Sequence, residues 1–366
     1  MIPLCEPAIA GNEIKYISEC IEKRWISTYG EFIKRFEEKF KEFLGVKHAI
    51  AVSSGTAALH LALRALNIGE EDEVIIPSLT FIATANAVKY VGAEPVFVDV
   101  KKDTFVLNVE KVEEMITPKT KAIIPVHLYG YAADMEKLRK IAEKYDLYII
   151  EDATEALGTK FKGRYVGTFG EFGCFSFNGN KLITTGNGGM IVTNRDDLAE
   201  YVRYLSSQAK TMLSNNGFVH NEIGYNYRLP NLLAAFGLAQ LEKLEEFLRA
   251  KRRNAEIYNL YLKDVKGVIT PFDTEEVENS YWLYSIVVTE NFGITRDELI
   301  DELKKHEIES RPFFQPIHLM RNFRNCKKSE MNNTEYLASH GINLPSSVSL
   351  EEKEIELICT IIKRYG

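Results

Sequence analysis

Lys181 is the one cation in the turn Ser176-Phe177-Asn178-Gly179-Asn180-Lys181, which is otherwise small and polar and lies between two apolar runs, Gly173 to Phe177 and Gly189 to Thr193. An amine set among backbone donors and hydroxyls, away from other charges, suits covalent chemistry with a carbonyl. Upstream, the apolar run Leu147 to Ile150 ends on the carboxylates Glu151 and Asp152. A lysine that condenses with an aldehyde and an acid that keeps a pyridine nitrogen protonated are what pyridoxal 5'-phosphate (PLP) asks of a protein. Ser53-Ser54-Gly55-Thr56-Ala57-Ala58 leads from a strand into a helix, so free N–H groups and hydroxyls face an anion such as a phosphate. An N-cap with a tight turn explains the same residues equally well. Phe81, just past another strand, could stack on a planar ring or simply join the core. No G-x-x-x-x-G-K-[ST] loop is present, and Gly173 of the Gly167, Gly170, Gly173 series precedes a strand instead of opening a helix, which disfavours a nicotinamide cofactor.

These residues need a scaffold that brings strand ends together. From about residue 48 to 208, short β-branched runs alternate with amphipathic stretches, the pattern of a mainly parallel sheet covered by helices. Seven strands are expected, at His48 to Val52, Glu73 to Ile76, Pro95 to Val98, Lys121 to Pro125, Leu147 to Glu151, Gly173 to Phe177 and Gly189 to Thr193. Helices are expected at Thr56 to Leu66, Thr80 to Val91, Asn108 to Met115, Asp134 to Tyr145 and Arg195 to Ser207. Ligands of such sheets gather at the strands' carboxyl ends, where Asp152, Lys181 and Gly55 would all fall. Two helices, Gly11 to Lys23 and Glu31 to Phe43, precede the sheet. After it, a long helical region from Leu232 to Leu262, a strand at Tyr281 to Val288, a helix at Thr295 to Lys305, a strand near Ile308 to Pro312 and a helix at Leu350 to Arg364 read as a smaller α+β domain. The expected division is 1–230, the N-terminal segment and large PLP-binding α/β domain, and 231–366, the smaller domain.

Composition narrows the function classes. The 366 residues carry a net charge of -7, with 45% hydrophobic and 27% charged side chains, so nucleic acid is not an expected partner. Five scattered cysteines without a C-x-x-C pair suggest neither a disulfide framework nor a zinc site, and the seven histidines show no metal-ligand spacing. No metal is expected. The N-terminus has no basic or apolar leader, and no apolar run approaches roughly 18 residues, so a cytoplasmic location without a membrane partner is expected.

Six motifs in order resemble the DegT/StrS family of PLP-dependent nucleotide-sugar aminotransferases: Ser54 to Leu59, Pro77 to Ala83, Pro125 to Gly130, Glu151 to Ala153, Ser176 to Lys181 and Gly224 to Arg228. The resemblance spans about residues 1 to 345 and implies an α/β fold type I PLP-dependent transferase with a mainly parallel seven-stranded sheet. Many relatives carry His-Pro or Tyr-Pro before the lysine, whereas this chain has Asn178-Gly179-Asn180, which resembles members that aminate C4 of nucleotide-linked 4-keto-6-deoxysugars. Carried onto this sequence, the resemblance implies that Lys181 anchors the cofactor and shuttles the proton. It places Asp152 at the pyridinium nitrogen, Phe81 over the ring, and Glu155, where many relatives have Gln, near the 3'-oxygen. Gly55, Thr56 and Ser176 would hold the phosphate, joined by Asn226 from a neighbouring subunit. Arg228, also from across the interface, would pair with the substrate's diphosphate, and Trp25, Ser27 and His318 would line the substrate pocket. The implied enzyme is a homodimer with shared active sites, using L-glutamate as donor in a ping-pong transamination. GDP or UDP as nucleotide, C3 or C4 as the carbon, and glutamate or glutamine as donor stay open. A PLP-dependent sugar dehydratase, whose relatives replace the lysine with histidine, is disfavoured by Lys181. A non-catalytic PLP-binding regulator is disfavoured by the complete set Lys181, Asp152, Ser176 and Asn226.

Overall fold

The computed structural model describes residues 1–214, 217–271 and 274–366. At its centre is a seven-stranded sheet of β1 (His48–Val52), β2 (Glu73–Pro77), β3 (Glu94–Val98), β4 (Thr120–Ile123), β5 (Tyr148–Asp152), β6 (Phe172–Ser176) and β7 (Gly189–Thr193). Their spatial order is β1-β7-β6-β5-β4-β2-β3. The run from β6 to β3 is parallel, and β7 alone is reversed, antiparallel to both β1 and β6. Such strands are apolar on both faces because helices cover both. Alternation then sorts the side chains: Ala49, Ala51, Ile75 and Val96 join the core on one face, and Ile50, Val52, Val74 and Phe97 the core on the other.

Two helices, α1 (Glu13–Glu22) and α2 (Glu31–Leu44), precede the sheet; α2 presents Phe32, Phe36, Phe40 and Leu44 on one buried stripe and stops at Gly45, whose φ of 69° is the left-handed cap. Four helices run between or after the strands, α3 (Gly55–Ala65), α4 (Ala83–Tyr90), α5 (Met135–Tyr145) and α6 (Asp196–Ser206). The expected helix over Asn108 to Met115 is instead two 3-10 turns, Val109–Lys111 and Glu113–Met115. Pro118 lies just beyond, and Ile116 is already extended, so a third turn has no room to grow.

The expected helical region from 232 to 262 divides into α7 (Asn231–Leu241) and α8 (Leu244–Leu262). Beyond it, β8 (Val268–Ile269), β9 (Tyr284–Val288), β10 (Arg311–Pro312) and β11 (Gly341–Leu344) form an antiparallel sheet in the order β8-β9-β11-β10. Its apolar residues join α8 and the helices α9 (Arg296–Lys305) and α11 (Glu352–Lys363) in a third core containing Tyr258, Ile286, Leu299 and Ile358. A further helix, α10 (Asn332–His340), is seated on Asp99, a buried carboxylate that accepts the Thr334 N–H at 2.8 Å. The expected strands and helices of this region are present as β9, β10, α9 and α11, while β8, β11 and α10 carried no expectation.

Candidate active site

The chain's chemistry collects where the parallel strands end. Strand β5 closes on Asp152 and β6 on Ser176, while β1 leads through Ser54 into α3 and β2 through Ser78 to Phe81. A cavity of about 250 Å³ opens there, lined by Gly55, Thr56, Phe81, Asp152, Glu155, Ser176 and Lys181 together with residues from far along the chain. Period-two alternation gives the two neighbouring acids different work. Glu151 is turned into the protein, where it accepts the N–H groups of Gly167 (2.7 Å), Phe169 (2.5 Å) and Gly170 (2.9 Å) and meets His127 at 3.1 Å. Asp152 faces the cavity.

Asp152 is 3% exposed. Its Oδ2 accepts the Thr84 hydroxyl at 2.7 Å and its Oδ1 the Thr154 N–H at 3.2 Å, so both oxygens are oriented and their remaining acceptor capacity points toward a ligand. Lys181 Nζ lies 3.5 Å from Glu155 Oε1 and 3.7 Å from the centroid of the Trp282 ring. Glu155 also accepts the Tyr129 N–H at 3.1 Å. Burial holds the Glu155 carboxyl above its ordinary range, with the Lys181 amine opposing that rise. At the other end of the cavity, Ser54 caps α3 by accepting the Ala57 N–H at 3.0 Å. The N–H groups of Gly55 and Thr56, in the first turn, have no acceptor within the helix and remain for an anion.

PLP has a planar, electron-poor ring with an aldehyde on one side, a nitrogen on another and a phosphate on a short arm. The cavity matches each part: an amine, a buried carboxylate, and a helix N-terminus beside the Ser176 hydroxyl. The approach of α3 to β6 is close enough that a Cβ at Gly55 would stand 2.9 Å from Ser176 Cβ and 3.0 Å from Thr154 Cγ2. Glycine there keeps the cradle's backbone within reach of a phosphate. Phe81, 54% exposed and 5.8 Å from the Phe314 ring, stands at the open side where it can cover a bound ring.

Five expected site residues lie elsewhere. His318 is 1% exposed, with Nδ1 at 2.7 Å from Ser78 Oγ and Nε2 at 3.2 Å from Glu335, so both ring nitrogens are engaged and it does not line the cavity as expected of a substrate-pocket residue. It tethers the loop that carries Phe81 to the segment that carries Phe314. Trp25 and Ser27 sit on the surface beside Asn231, which donates to the Trp25 carbonyl at 2.7 Å and to the Ser27 carbonyl at 2.6 Å. Asn226 is exposed, pairing through its backbone with Ser207. Arg228 stacks its guanidinium 4.9 Å from the Tyr29 ring, and its Nε is buried with no hydrogen-bond partner among the described residues. None of the four reaches this chain's own cavity. Conversely, Thr84, Thr154, Trp282, Arg311 and Asn343 line the cavity without having been anticipated.

Among the described residues no group of three or more His, Cys, Asp or Glu could hold a metal ion, and no helix is long and apolar enough to cross a membrane. Residues 7–363 match the DegT/DnrJ/EryC1/StrS aminotransferase family. The chain is 44% identical over 365 residues to GDP-perosamine synthase of Escherichia coli O157:H7, covering 100% of this chain and 98% of that one. It is 42% identical to GDP-perosamine synthase of Vibrio cholerae, covering 100% and 99%. Among solved structures, the PLP form of Spr1654 from Streptococcus pneumoniae superposes with a TM-score of 0.93 at 27% identity, covering 99% of this chain and 98% of that one.

Proposed function

The chain belongs to the DegT/DnrJ/EryC1/StrS aminotransferase family, and on that premise we propose that it moves the amine of L-glutamate to C4 of a nucleotide-linked 4-keto-6-deoxyhexose. The product would be a 4-amino-4,6-dideoxy sugar nucleotide of the GDP-perosamine type, made for surface glycans. The enzyme is a PLP-dependent aminotransferase. The observation that carries the substrate-level reading is the convergence of Lys181, Asp152, Glu155 and the first turn of α3 on one cavity, in a chain 42% and 44% identical to two GDP-perosamine synthases.

Bound PLP supplies an electron sink for the carbon that exchanges an amine for a ketone. The protein's part is anchoring, orientation and proton movement. Lys181 would hold the cofactor by its amine and, when that amine is free, would move the proton at the carbon that exchanges its amine. Asp152, steered by Thr84 and Thr154, keeps a proton on the ring nitrogen. Glu155, whose neutral form is favoured by burial, can donate to the 3'-oxygen. Gly55, Thr56 and Ser176 take the phosphate, and Phe81 shields the ring from water. One half-reaction leaves 2-oxoglutarate; the second delivers the amine to the keto sugar.

The reading includes a homodimer in which Asn226 reaches the neighbouring cavity's phosphate and Arg228 the substrate's diphosphate, a task suited to a planar and permanently charged fork. In support, both residues lie outside their own cavity, and the Arg228 Nε has no hydrogen-bond partner among the described residues. The segments on either side expose Trp25, Ile26, Tyr29, Met212, Phe218 and Ile223, as a face covered by another subunit would. The deciding experiment supplies L-glutamate and a panel of GDP- and UDP-linked 4-keto-6-deoxysugars and identifies the product by mass and NMR. An amine at C4 of a GDP sugar is expected; amination at C3, or of no member of the panel, would overturn the assignment.

A further inference from the structure

We propose that Trp282 is the positioning residue for the Lys181 amine: its indole face holds the amine whenever the lysine is not joined to the cofactor, keeping it in place for proton transfer. The inference rests on the reading above, in which Lys181 is displaced in each half-reaction and must return.

A released lysine amine sits at the tip of a four-carbon chain, free to swing through many rotamers unless something stops it. In this structure the Lys181 Nζ is stopped by the Trp282 ring, whose centroid is 3.7 Å away, and by Glu155 Oε1 at 3.5 Å. The two neighbours differ in kind. Glu155 can exchange a proton with the amine, whereas an indole face attracts an ammonium group through its quadrupole and offers no proton and no nucleophile. A carrier of protons is therefore held in place by a surface that cannot divert its cargo.

Trp282 is itself held by three neighbours. Its Nε1–H donates to the Asn180 carbonyl at 2.7 Å, so Trp282 grips the backbone one residue before Lys181 as well as facing its side chain. The Trp282 carbonyl accepts from Lys251 Nζ at 2.9 Å. Lys251 is 2% exposed and also donates to the Ser346 carbonyl and toward Cys5 Sγ, an unusual use of a buried lysine as a brace. Tyr129 stacks against the tryptophan at 6.2 Å and 29°.

The test compares Trp282→Leu, which removes the aromatic face, with Trp282→Phe, which keeps a face but not the N–H. In Trp282→Leu the visible band of the lysine-linked cofactor and the KM for glutamate should stay within about twofold of wild type, while kcat for the glutamate half-reaction falls about 10- to 100-fold and the isotope effect with α-deuterated glutamate rises. Trp282→Phe should keep kcat within about threefold. A second readout needs no turnover: in the cofactor-free protein, acylation of Lys181 by a water-soluble succinimidyl ester, followed by peptide mass mapping, should speed up about tenfold in Trp282→Leu and little in Trp282→Phe. Equal acylation rates in all three proteins, an unchanged kcat in Trp282→Leu, or the same loss in both variants would overturn the inference. Should the wild-type enzyme prove inert toward glutamate, the donor assignment falls, and the acylation comparison still decides the role of Trp282.

Discussion

Gly55→Ala separates cofactor binding from folding. The added Cβ would lie 2.9 Å from Ser176 Cβ and 3.0 Å from Thr154 Cγ2, whereas carbon atoms rest at about 3.5–4.0 Å, so the first turn of α3 must withdraw by roughly half an ångström or more. Withdrawal would lengthen the hydrogen bonds proposed between the Gly55 and Thr56 N–H groups and the cofactor's phosphate. Hydrogen bonds to a charged group contribute about 1.5–3 kcal/mol each, so weakening two of them by about half costs roughly 1.5–3 kcal/mol, which is about 10- to 100-fold in the Kd for PLP. Stability responds less. Overpacking costs about 1–3 kcal/mol, and alanine returns about 0.4–1 kcal/mol by stiffening the unfolded chain. Titration of cofactor-free protein with PLP, read by the visible band, gives the first quantity, and urea unfolding without PLP gives the second. Thr154→Ser removes Cγ2 yet keeps the backbone donor to Asp152, so in the Gly55→Ala background it should restore part of the affinity. A Kd within twofold of wild type, or a double variant no tighter than the single one, would refute the close-approach argument.

Thr84→Val deletes the hydroxyl bound to Asp152 Oδ2 at 2.7 Å and should lower kcat about tenfold with little change in the fold, as expected for one lost orienting hydrogen bond; a variant with wild-type turnover contradicts that role. Lys181→Ala and Arg228→Ala should each be nearly inactive alone, yet random reassortment of the two would give hybrid dimers with one intact site and recover about a quarter of wild-type activity. No recovery after verified subunit exchange would remove the shared-site dimer. His60 is pulled down to about 4, first by burial and then by Arg64. The fold thus favours its neutral form: its contribution is complete above the ordinary histidine value near 6.5 and is lost as pH falls toward 4, because the unfolded chain takes up the proton first. After discounting for partial solvent screening this amounts to about 2 kcal/mol. Urea unfolding between pH 7 and pH 4.5 should show a shallower decline in His60→Phe than in wild type, and parallel curves would contradict the assignment.

What the sequence disclosed and what it concealed divide along the same line in the fold. The end of the cavity proposed to take the cofactor is built from residues that finish a strand or begin a helix: Asp152 closes β5, Ser176 closes β6, and Gly55 opens α3. Each carries a local signature, an apolar run that stops on a polar residue or a cap before a helical stretch. A parallel sheet then brings all such ends to one edge whatever their separation in sequence. The facing wall of the cavity has no comparable rule. It uses Trp282, Arg311, Phe314 and Asn343, which meet because β11 pairs with β9 on one side and β10 on the other, setting Arg311 opposite Asn343. β11 reads as Gly341-Ile342-Asn343-Leu344 followed by Pro345, too short and too interrupted by a polar residue for its pattern to announce a strand. It holds because it is hydrogen-bonded on both edges, a tertiary fact. His318 departs in the opposite sense: the resemblance implied a pocket residue, but both nitrogens of the histidine are engaged by Ser78 and Glu335. Its effect on the cavity passes through the loop it tethers. A His318→Ala variant should therefore weaken the hold on Phe81 and so on the cofactor, raising the Kd for PLP before it alters the KM for the sugar nucleotide. A change in sugar KM alone, with cofactor binding intact, would return His318 to the substrate pocket.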